Sequence, residues 1–196
     1  MNYGDLAYIV PGGLAVPELP GDALFTLTGT GAGETGTVEM LGDIDGDGAR
    51  DLACMPSLDE VRVFTTLAGT VSREVDDASL TIELGEGSLA YDLLDLGDID
   101  SDGRDDTLVP LQWYPALETG VAGVFLGADL DFRGVVRFED SLLTATSLRT
   151  DGRFGYRVAL SADVDGDGGD DILLGGYSDV QGGADAGAAL TVPVPR

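Results

Sequence analysis

The sequence predicts an all-β fold made of repeated antiparallel units, and three observations support this prediction. An acidic segment with the pattern Asp-x-Asp-x-Asp-Gly-x-x-Asp recurs at residues 43–51, 98–106 and 163–171, a repeat period of roughly 60 residues. Each copy is flanked by short apolar runs, which are typical of buried strands. The chain also contains 30 glycines in 196 residues, which suits a fold with many turns.

Each acidic segment carries the residue types that a calcium ion requires. Ca²⁺ takes about six to eight oxygen ligands, and alternating carboxylates on a tight loop supply them. The glycine at the sixth position allows a sharp backbone turn around the ion, and the seventh residue, Gly169 in the third copy, would add its carbonyl. The alternative is a solvated acidic turn without an ion, since Asp and Gly also favour ordinary turns. Three copies at near-regular spacing favour calcium.

The segments do not match an EF-hand. That motif needs a bidentate glutamate at position 12 and a helix on each side, whereas position 12 is Cys54, Val109 or Leu174 here. These residues lie in short apolar runs that read as strands. We therefore predict that each segment is the turn of a β-hairpin, with its last ligand at the start of the returning strand.

Strands are predicted in order along the whole chain, as one domain. They cover residues 6–10, 23–28, 37–41, 52–55, 61–65, 80–84, 89–96, 107–111, 123–126, 135–138, 156–160, 172–174 and 188–192. Residues 141–148 read either as a helical turn or as a connection. The approximate repeats are 1–30 (the end of a preceding unit), 31–85, 86–140 and 150–196.

Four short antiparallel strands per repeat are the layout of a β-propeller blade. By this count the chain opens on a third and a fourth strand and ends on a third. A propeller typically needs at least about four blades to close. We therefore expect a partial propeller of about three blades, which belongs to a longer parent chain or closes as a homo-oligomer with another copy.

The third repeat carries the most specific resemblance. Phe154-Gly155 precedes its acidic segment, Gly175-Gly176 ends the strand that follows, and Gly187 leads into the predicted strand 188–192. This arrangement resembles the FG-GAP repeat, which builds the seven-bladed β-propeller of integrin α subunits and of many bacterial surface proteins. The first two repeats share the acidic segment but have other residues where the third has Phe-Gly and Gly-Gly.

The resemblance implies about three Ca²⁺ sites. Positions 1, 3, 5 and 9 of each segment would supply side-chain ligands, and position 7 would supply a carbonyl. The implied ligands are Asp43, Asp45, Asp47, Ala49 and Asp51 in the first segment, Asp98, Asp100, Asp102, Arg104 and Asp106 in the second, and Asp163, Asp165, Asp167, Gly169 and Asp171 in the third.

Composition narrows the possible partners and chemistry. The net charge of −26 disfavours nucleic acids and anionic membrane surfaces, and no apolar run reaches the roughly 20 residues of a membrane span. The absence of histidine rules out Ser-His-Asp and Cys-His centres. Carboxylate pairs could serve glycoside hydrolysis, but most lie in the acidic segments, where an ion would hold them ionised. We expect a protein that is not an enzyme, with Cys54 as a small buried residue.

Residues 112–118 contain the candidate partner surface. Trp113 and Tyr114 are predicted to lie in a loop between the second and third strands of the second repeat, and both residue types anchor protein and carbohydrate ligands. The alternative is that Trp113 covers the core of its blade.

The expected function is therefore structural or adhesive. Calcium-stiffened blades at the cell surface or outside the cell would bind a protein or glycan, although the N-terminus shows no secretion signal. The alternative is an accessory propeller domain of a longer extracellular enzyme.

Overall fold

The fold of the described residues is built from β-strands. The structure is a computed structural model and describes residues 6–10, 12, 24–29, 37–65, 67, 71–132, 134–146, 154–160, 163–166, 168–176 and 187–193. Within this part of the chain there are sixteen strands and three short 3₁₀ turns, at Val75–Asp77, Gly127–Asp129 and Phe138–Asp140. The described segments include no helix with the length and hydropathy of a membrane span. The prediction of an all-β fold is confirmed.

The strands form four sheets, which we number in chain order. Sheet 1 contains β1 (Leu6–Ile9), β2 (Phe25–Thr28) and β6 (Val71–Glu74). Sheet 2 contains β3 (Val38–Met40), β4 (Leu52–Ser57), β5 (Glu60–Phe64), β7 (Leu80–Glu83) and β12 (Val135–Arg137). Sheet 3 contains β8 (Leu89–Ala90), β9 (Leu94–Gly97), β10 (Asp106–Tyr114), β11 (Thr119–Phe125) and β13 (Leu142–Thr146). Sheet 4 contains β14 (Phe154–Leu160), β15 (Asp171–Gly176) and β16 (Ala188–Pro193).

Neighbouring sheets are joined by strands that leave their own repeat. Most pairs are antiparallel, but β6 pairs in parallel with β2 of sheet 1, and β12 pairs in parallel with β7 of sheet 2. In sequence, β6 lies between β5 and β7, and β12 lies between β11 and β13. Each of these strands therefore returns to the outer edge of the preceding sheet before its own sheet is completed, and the same link occurs twice.

This link corrects the strand assignment in the second repeat. Residues 135–138 were predicted as its fourth strand, but β12 belongs to the edge of sheet 2. The place beside β11 is taken by β13, in the segment left open between a helical turn and a connection. An apolar run predicts a strand but not the sheet that it joins, because strand preference depends on the neighbouring strands. The predicted strand 89–96 is also divided into β8 and β9.

The sheets pack face to face in chain order around three apolar cores. The core between sheets 1 and 2 contains Phe25, Leu27, Leu52, Cys54, Phe64 and Val75. The core between sheets 2 and 3 includes Ala53, Met55, Val63, Val109, Leu111, Phe125 and Phe138. The core between sheets 3 and 4 includes Leu96, Leu108, Val124, Phe154, Ile172 and Leu174.

The two middle sheets are buried on both faces, as β4 illustrates. Leu52 and Cys54 face sheet 1, whereas Ala53 and Met55 face sheet 3, and all four are at most 3% exposed. A strand with two buried faces reads as a continuous apolar run rather than an alternating one. Burial also raises the pKa of the Cys54 thiol to about 11, so it packs as a neutral side chain, as predicted.

The acidic segments are the turns of three equivalent hairpins. They connect β3 to β4, β9 to β10 and β14 to β15, and each of these strand pairs is antiparallel. Asp106 and Asp171 are the first residues of their returning strands, and Asp51 directly precedes its own. The prediction of hairpin turns is confirmed.

The packing of sheet 3 on sheet 4 gives a test of the stacked arrangement. Gly120 of β11 lies against Phe154 of β14, and a methyl group at Gly120 would overlap the backbone of Phe154. We expect Gly120→Ala to lower the free energy of unfolding by about 1–3 kcal/mol, because a crowded core must shift its backbone. Urea unfolding measures the change. Gly134→Ala is the matched control, since its nearest neighbour would be Asp131 Oδ2 at 3.7 Å; equal stabilities of the two variants would contradict the packing.

Candidate metal centre

Three hairpin turns each bring three carboxylates together. We call these turns loop 1 (residues 43–51), loop 2 (98–106) and loop 3 (163–171). The triads are Asp43, Asp45 and Asp51 in loop 1, Asp98, Asp100 and Asp106 in loop 2, and Asp163, Asp165 and Asp171 in loop 3. Within each triad, one carboxylate oxygen from each residue lies within 4.8 Å of the other two. This spacing allows one cation to contact all three residues, so each loop could hold a metal ion.

The first aspartate of each loop is held by backbone amides of the turn. Asp43 Oδ1 accepts the Asp47 amide at 2.9 Å, and its Oδ2 accepts the Gly48 amide at 2.7 Å. Asp98 accepts the corresponding two amides of loop 2, both at 3.0 Å. Gly48 has φ +89° and Gly103 has φ +94°, a backbone region in which a side chain is strained. The sharp turn predicted at the sixth position is confirmed.

The ninth aspartate of each loop turns back to the beginning of the loop. Its Oδ2 accepts the amide of the second residue in all three cases: Ile44 to Asp51 at 3.0 Å, Ile99 to Asp106 at 2.9 Å and Val164 to Asp171 at 2.7 Å. These three aspartates are at most 1% exposed. The same hydrogen bond therefore closes each loop and places a buried carboxylate at its base.

The second oxygen of the ninth aspartate distinguishes loop 1 from loop 2. Asp106 Oδ1 accepts the amide of Gly127 at 2.8 Å. Asp51 Oδ1 is buried, and no donor in the described part of the chain reaches it. A buried carboxylate oxygen without a donor loses the hydrogen bonds that water would give it, at a cost of about 1–3 kcal/mol or more. A cation between Asp51, Asp43 and Asp45 would compensate this loss.

The electrostatics of the ninth position agree with this geometry. Burial, together with the nearby carboxylate of Asp45, raises the pKa of Asp51 to about 7, against the opposing effect of the amides of Ile44 and Asp45. Burial also raises the pKa of Asp106, against the opposing effect of the amides of Gly127 and Ile99. Without a cation, a substantial fraction of Asp51 is therefore protonated near neutral pH.

The fifth-position aspartates have a different role in the structure from the triads. Asp47 Oδ1 accepts the Ala49 amide, and Asp102 Oδ1 accepts the Arg104 amide, both at 2.8 Å. The side chain at position 5 is thus directed towards the backbone of position 7, whose carbonyl was predicted as a ligand. Asp167, the fifth residue of loop 3, lies outside the described residues.

Loops 1 and 2 are joined by a residue that sequence reasoning missed. Asp105 Oδ2 accepts the Asp43 amide at 2.7 Å, and the Asp105 amide donates to the Asp43 carbonyl at 2.9 Å. A side chain at Gly42 would overlap the carboxylate of Asp105. The glycine before loop 1 was therefore the one sequence feature that could have indicated this contact. Between loops 2 and 3 there is instead a cavity of about 390 Å³, lined in part by Gly169 and Asp170.

The predicted partner surface needs correction. Trp113 and Tyr114 lie at the end of β10 rather than in a loop, because this strand continues beyond residue 111, where it was predicted to end. Tyr114 is 7% exposed, its hydroxyl donates to Glu139 Oε1 at 2.8 Å, and its ring lies 5.0 Å from that of Phe138. Burial raises its pKa to about 12. Tyr114 is therefore a core residue, whereas Trp113 is half-buried opposite Leu89 of β8.

The fold and the site together define a class: a stacked-sheet β protein with three acidic hairpin loops. Comparison of the sequence with models of known protein families and with curated proteins gives no match. The resemblance to FG-GAP repeats stays a prediction that rests on the sequence motifs.

The unpartnered oxygen of Asp51 predicts a pH effect in the metal-free protein. The folded-state pKa of about 7 lies above the usual value of about 3.9. As pH rises through this interval, the unfolded chain has already released the proton that the folded state still holds, so stability falls. Asp51→Asn keeps an acceptor for Ile44 and removes the charge. We expect the variant to have a higher thermal midpoint than the native chain at pH 8 and a similar one at pH 5.

Thermal unfolding of the metal-free proteins at the two pH values measures this effect. Asp76→Asn, at an exposed position outside the loops, is the control and should not change the pH dependence. A difference between Asp51→Asn and the native chain that is the same at pH 5 and pH 8 would contradict the assignment.

Proposed function

We propose that this chain is a calcium-binding module of FG-GAP type, made of propeller-like β-blades, with a structural or adhesive role at the cell surface or outside the cell. The observation that carries the proposal is the buried Asp51 Oδ1, which has no donor in the described residues and belongs to the carboxylate triad of loop 1. The equivalent triads of loops 2 and 3 extend the proposal to about three ions.

The ligand chemistry favours calcium over other common metals. The triads offer only oxygen ligands, which suit hard cations. The chain has no histidine, and the single cysteine is buried in the core between sheets 1 and 2, so nitrogen and sulfur ligands are absent. Ca²⁺ accepts irregular sets of carboxylate and carbonyl oxygens, whereas Mg²⁺ demands octahedral geometry and retains water. The carboxylates of each acidic loop are held by backbone amides of the same turn, so their positions are set by the turn and not by an octahedral arrangement.

The end of the sheet stack supports the idea of further blades. Ile172 and Leu174 of sheet 4 pack on sheet 3. Leu173 and Leu190 of the same sheet are 39% and 43% exposed. In sheet 2 the corresponding second face is covered by the next sheet. Exposed apolar faces of this kind favour association. We infer that another blade, from a longer parent chain or a second copy, packs on this face.

Calcium should stabilise the folded chain, because the ion binds the folded loops and not the unfolded chain. At a calcium concentration about 100-fold above the dissociation constant, one site contributes about 2.7 kcal/mol. For a chain of this size that is a rise of about 5–10 °C in the thermal midpoint. The measurement compares thermal unfolding in excess chelator with unfolding in 10 mM calcium, which exceeds the roughly 10⁻⁴–10⁻³ M range of extracellular calcium modules.

Magnesium at the same concentration is the matched control, and it should give a smaller rise. The same unfolding midpoint in chelator and in 10 mM calcium would contradict the proposal. An equal response to both ions would remove its selectivity for calcium.

The ligand register is tested by two substitutions in loop 3. Asp165 belongs to the triad with Asp163 and Asp171, whereas Asp170 lines the cavity towards loop 2. We expect Asp165→Ala to remove one bound ion in a calorimetric calcium titration, because the triad loses a carboxylate. Asp170→Ala should leave the stoichiometry unchanged and serves as the control for charge loss. Equal losses from both variants would mean that the register is wrong.

A further inference from the structure

A second concave site lies at the opposite end of the sheets from the acidic loops. It is a cavity of about 240 Å³ whose lining includes Thr37 beside β3, Ala90 of β8 and Tyr156 of β14. The acidic loops follow the far ends of β3, β9 and β14, whereas this cavity lies where the first strands of sheets 2, 3 and 4 begin. Three sheets therefore contribute to one site.

Two tyrosine rings dominate the wall of this cavity. Tyr91 and Tyr156 are 38% and 39% exposed, and their ring centroids lie 6.1 Å apart with 54° between the planes. Both positions are fixed by the backbone. Tyr91 lies in the break between β8 and β9, where its carbonyl accepts the hydroxyl of Thr37 at 3.1 Å. Tyr156 lies at a β-bulge in β14, a feature that redirects side chains.

Charged groups complete the site. The Arg157 guanidinium lies 5.3 Å from the centroid of the Tyr156 ring, and its Nη1 lies 3.6 Å from Asp92 Oδ2. Arginine supplies only donors and aspartate only acceptors. The cavity lining therefore combines two exposed aromatic rings with the donors of Arg157, and Asp92 contributes an acceptor beside it through its contact with Arg157.

The charge of the site limits what it can bind. An anionic ligand would meet Asp92 and a chain of net charge −26, which repels it. A cationic ligand would compete with Arg157, which already lies over Tyr156. A neutral ligand with an apolar face for the rings and hydroxyls for Arg157 and Asp92 matches all of these groups. The volume is below the range of about 300–1,000 Å³ for drug-sized ligands, which suits a single sugar ring.

We propose that this cavity binds a neutral carbohydrate, with one sugar ring packed against Tyr91 and Tyr156. The proposal does not depend on calcium occupancy of the loops, since no acidic-loop residue lines the cavity. The proposed recognition surface is therefore formed by Tyr91 and Tyr156, and not by Trp113 and Tyr114.

Affinity gel electrophoresis of the full chain in calcium tests the proposal. The probes are four neutral polysaccharides, namely xyloglucan, laminarin, galactomannan and dextran, with the anionic polysaccharide alginate as the charge control. We expect at least one neutral polysaccharide to retard the native chain and alginate not to do so. Tyr91→Ala and Tyr156→Ala should each weaken that retardation about tenfold. Tyr91→Phe and Tyr156→Phe keep the ring and should retain most of it.

The outcomes separate cleanly. Retardation by none of the four neutral polysaccharides, retardation by alginate alone, or undiminished retardation of both alanine variants would each overturn the proposal. Arg157→Gln gives a second test if an alanine variant does not fold, because the Arg157 side chain is 68% exposed and its loss should leave the fold intact. This variant should weaken binding several-fold, and a native affinity would count against the site.

Discussion

The hydrogen bond that closes each acidic loop is the interaction on which the rest of the fold depends. The ninth aspartate accepts the amide of the second residue with one carboxylate oxygen, and this brings the two strands of the hairpin into register. Asp51, Asp106 and Asp171 are buried as a result, so the same bond that orders the hairpin removes a carboxylate from water. Burying a charge is unfavourable unless it is paired. In loop 2 the amide of Gly127 donates to the second oxygen, Asp106 Oδ1. In loop 1 the corresponding oxygen, Asp51 Oδ1, has no hydrogen-bond partner among the described residues. One residue of each repeat therefore both closes the hairpin and belongs to the carboxylate triad that could hold a metal ion.

The stacking of the sheets follows from the hydrophobic content of the strands behind these loops. β4 and β10 are apolar on both faces, and a strand of that kind is stable only between two other sheets. The parallel strands β6 and β12 add backbone hydrogen bonds between successive repeats, so the repeats are joined by pairing as well as by packing. Among the described residues, sheet 4 packs on sheet 3 alone, and Leu173 and Leu190 are exposed. The outer face of sheet 4 therefore carries exposed leucine side chains that the inner sheets bury.

The features that depend on local sequence were predictable, and those that depend on distant contacts were not. The glycine at position 6 and the hairpin turns follow from the loop pattern, because the preference of each residue acts within a few positions of the chain. The placement of β12 beside β7 depends on a neighbour more than 50 residues away, and Asp105 acts on Asp43 across a similar separation. Tyr114 was predicted to lie in a loop after a strand that ends at residue 111, yet β10 continues past two bulges as far as Tyr114. Nothing in the acidic pattern distinguishes Asp51 from Asp106, since the difference lies in Gly127.

The two proposed sites lie towards opposite ends of the same strands. Tyr156 and the beginning of loop 3 lie towards opposite ends of β14, which spans Phe154–Leu160, a length of about 23 Å at about 3.3 Å per residue. An ion in loop 3 would hold the end of the hairpin, whereas the bulge at Tyr156 lies near the start of the paired part of β14 and β15. The negative charge of the loops lies at one end of these strands, while Arg157 and the tyrosines lie at the other. The ion and the sugar would share strands without sharing a residue, so the carbohydrate site keeps its lining whether or not the loops hold calcium.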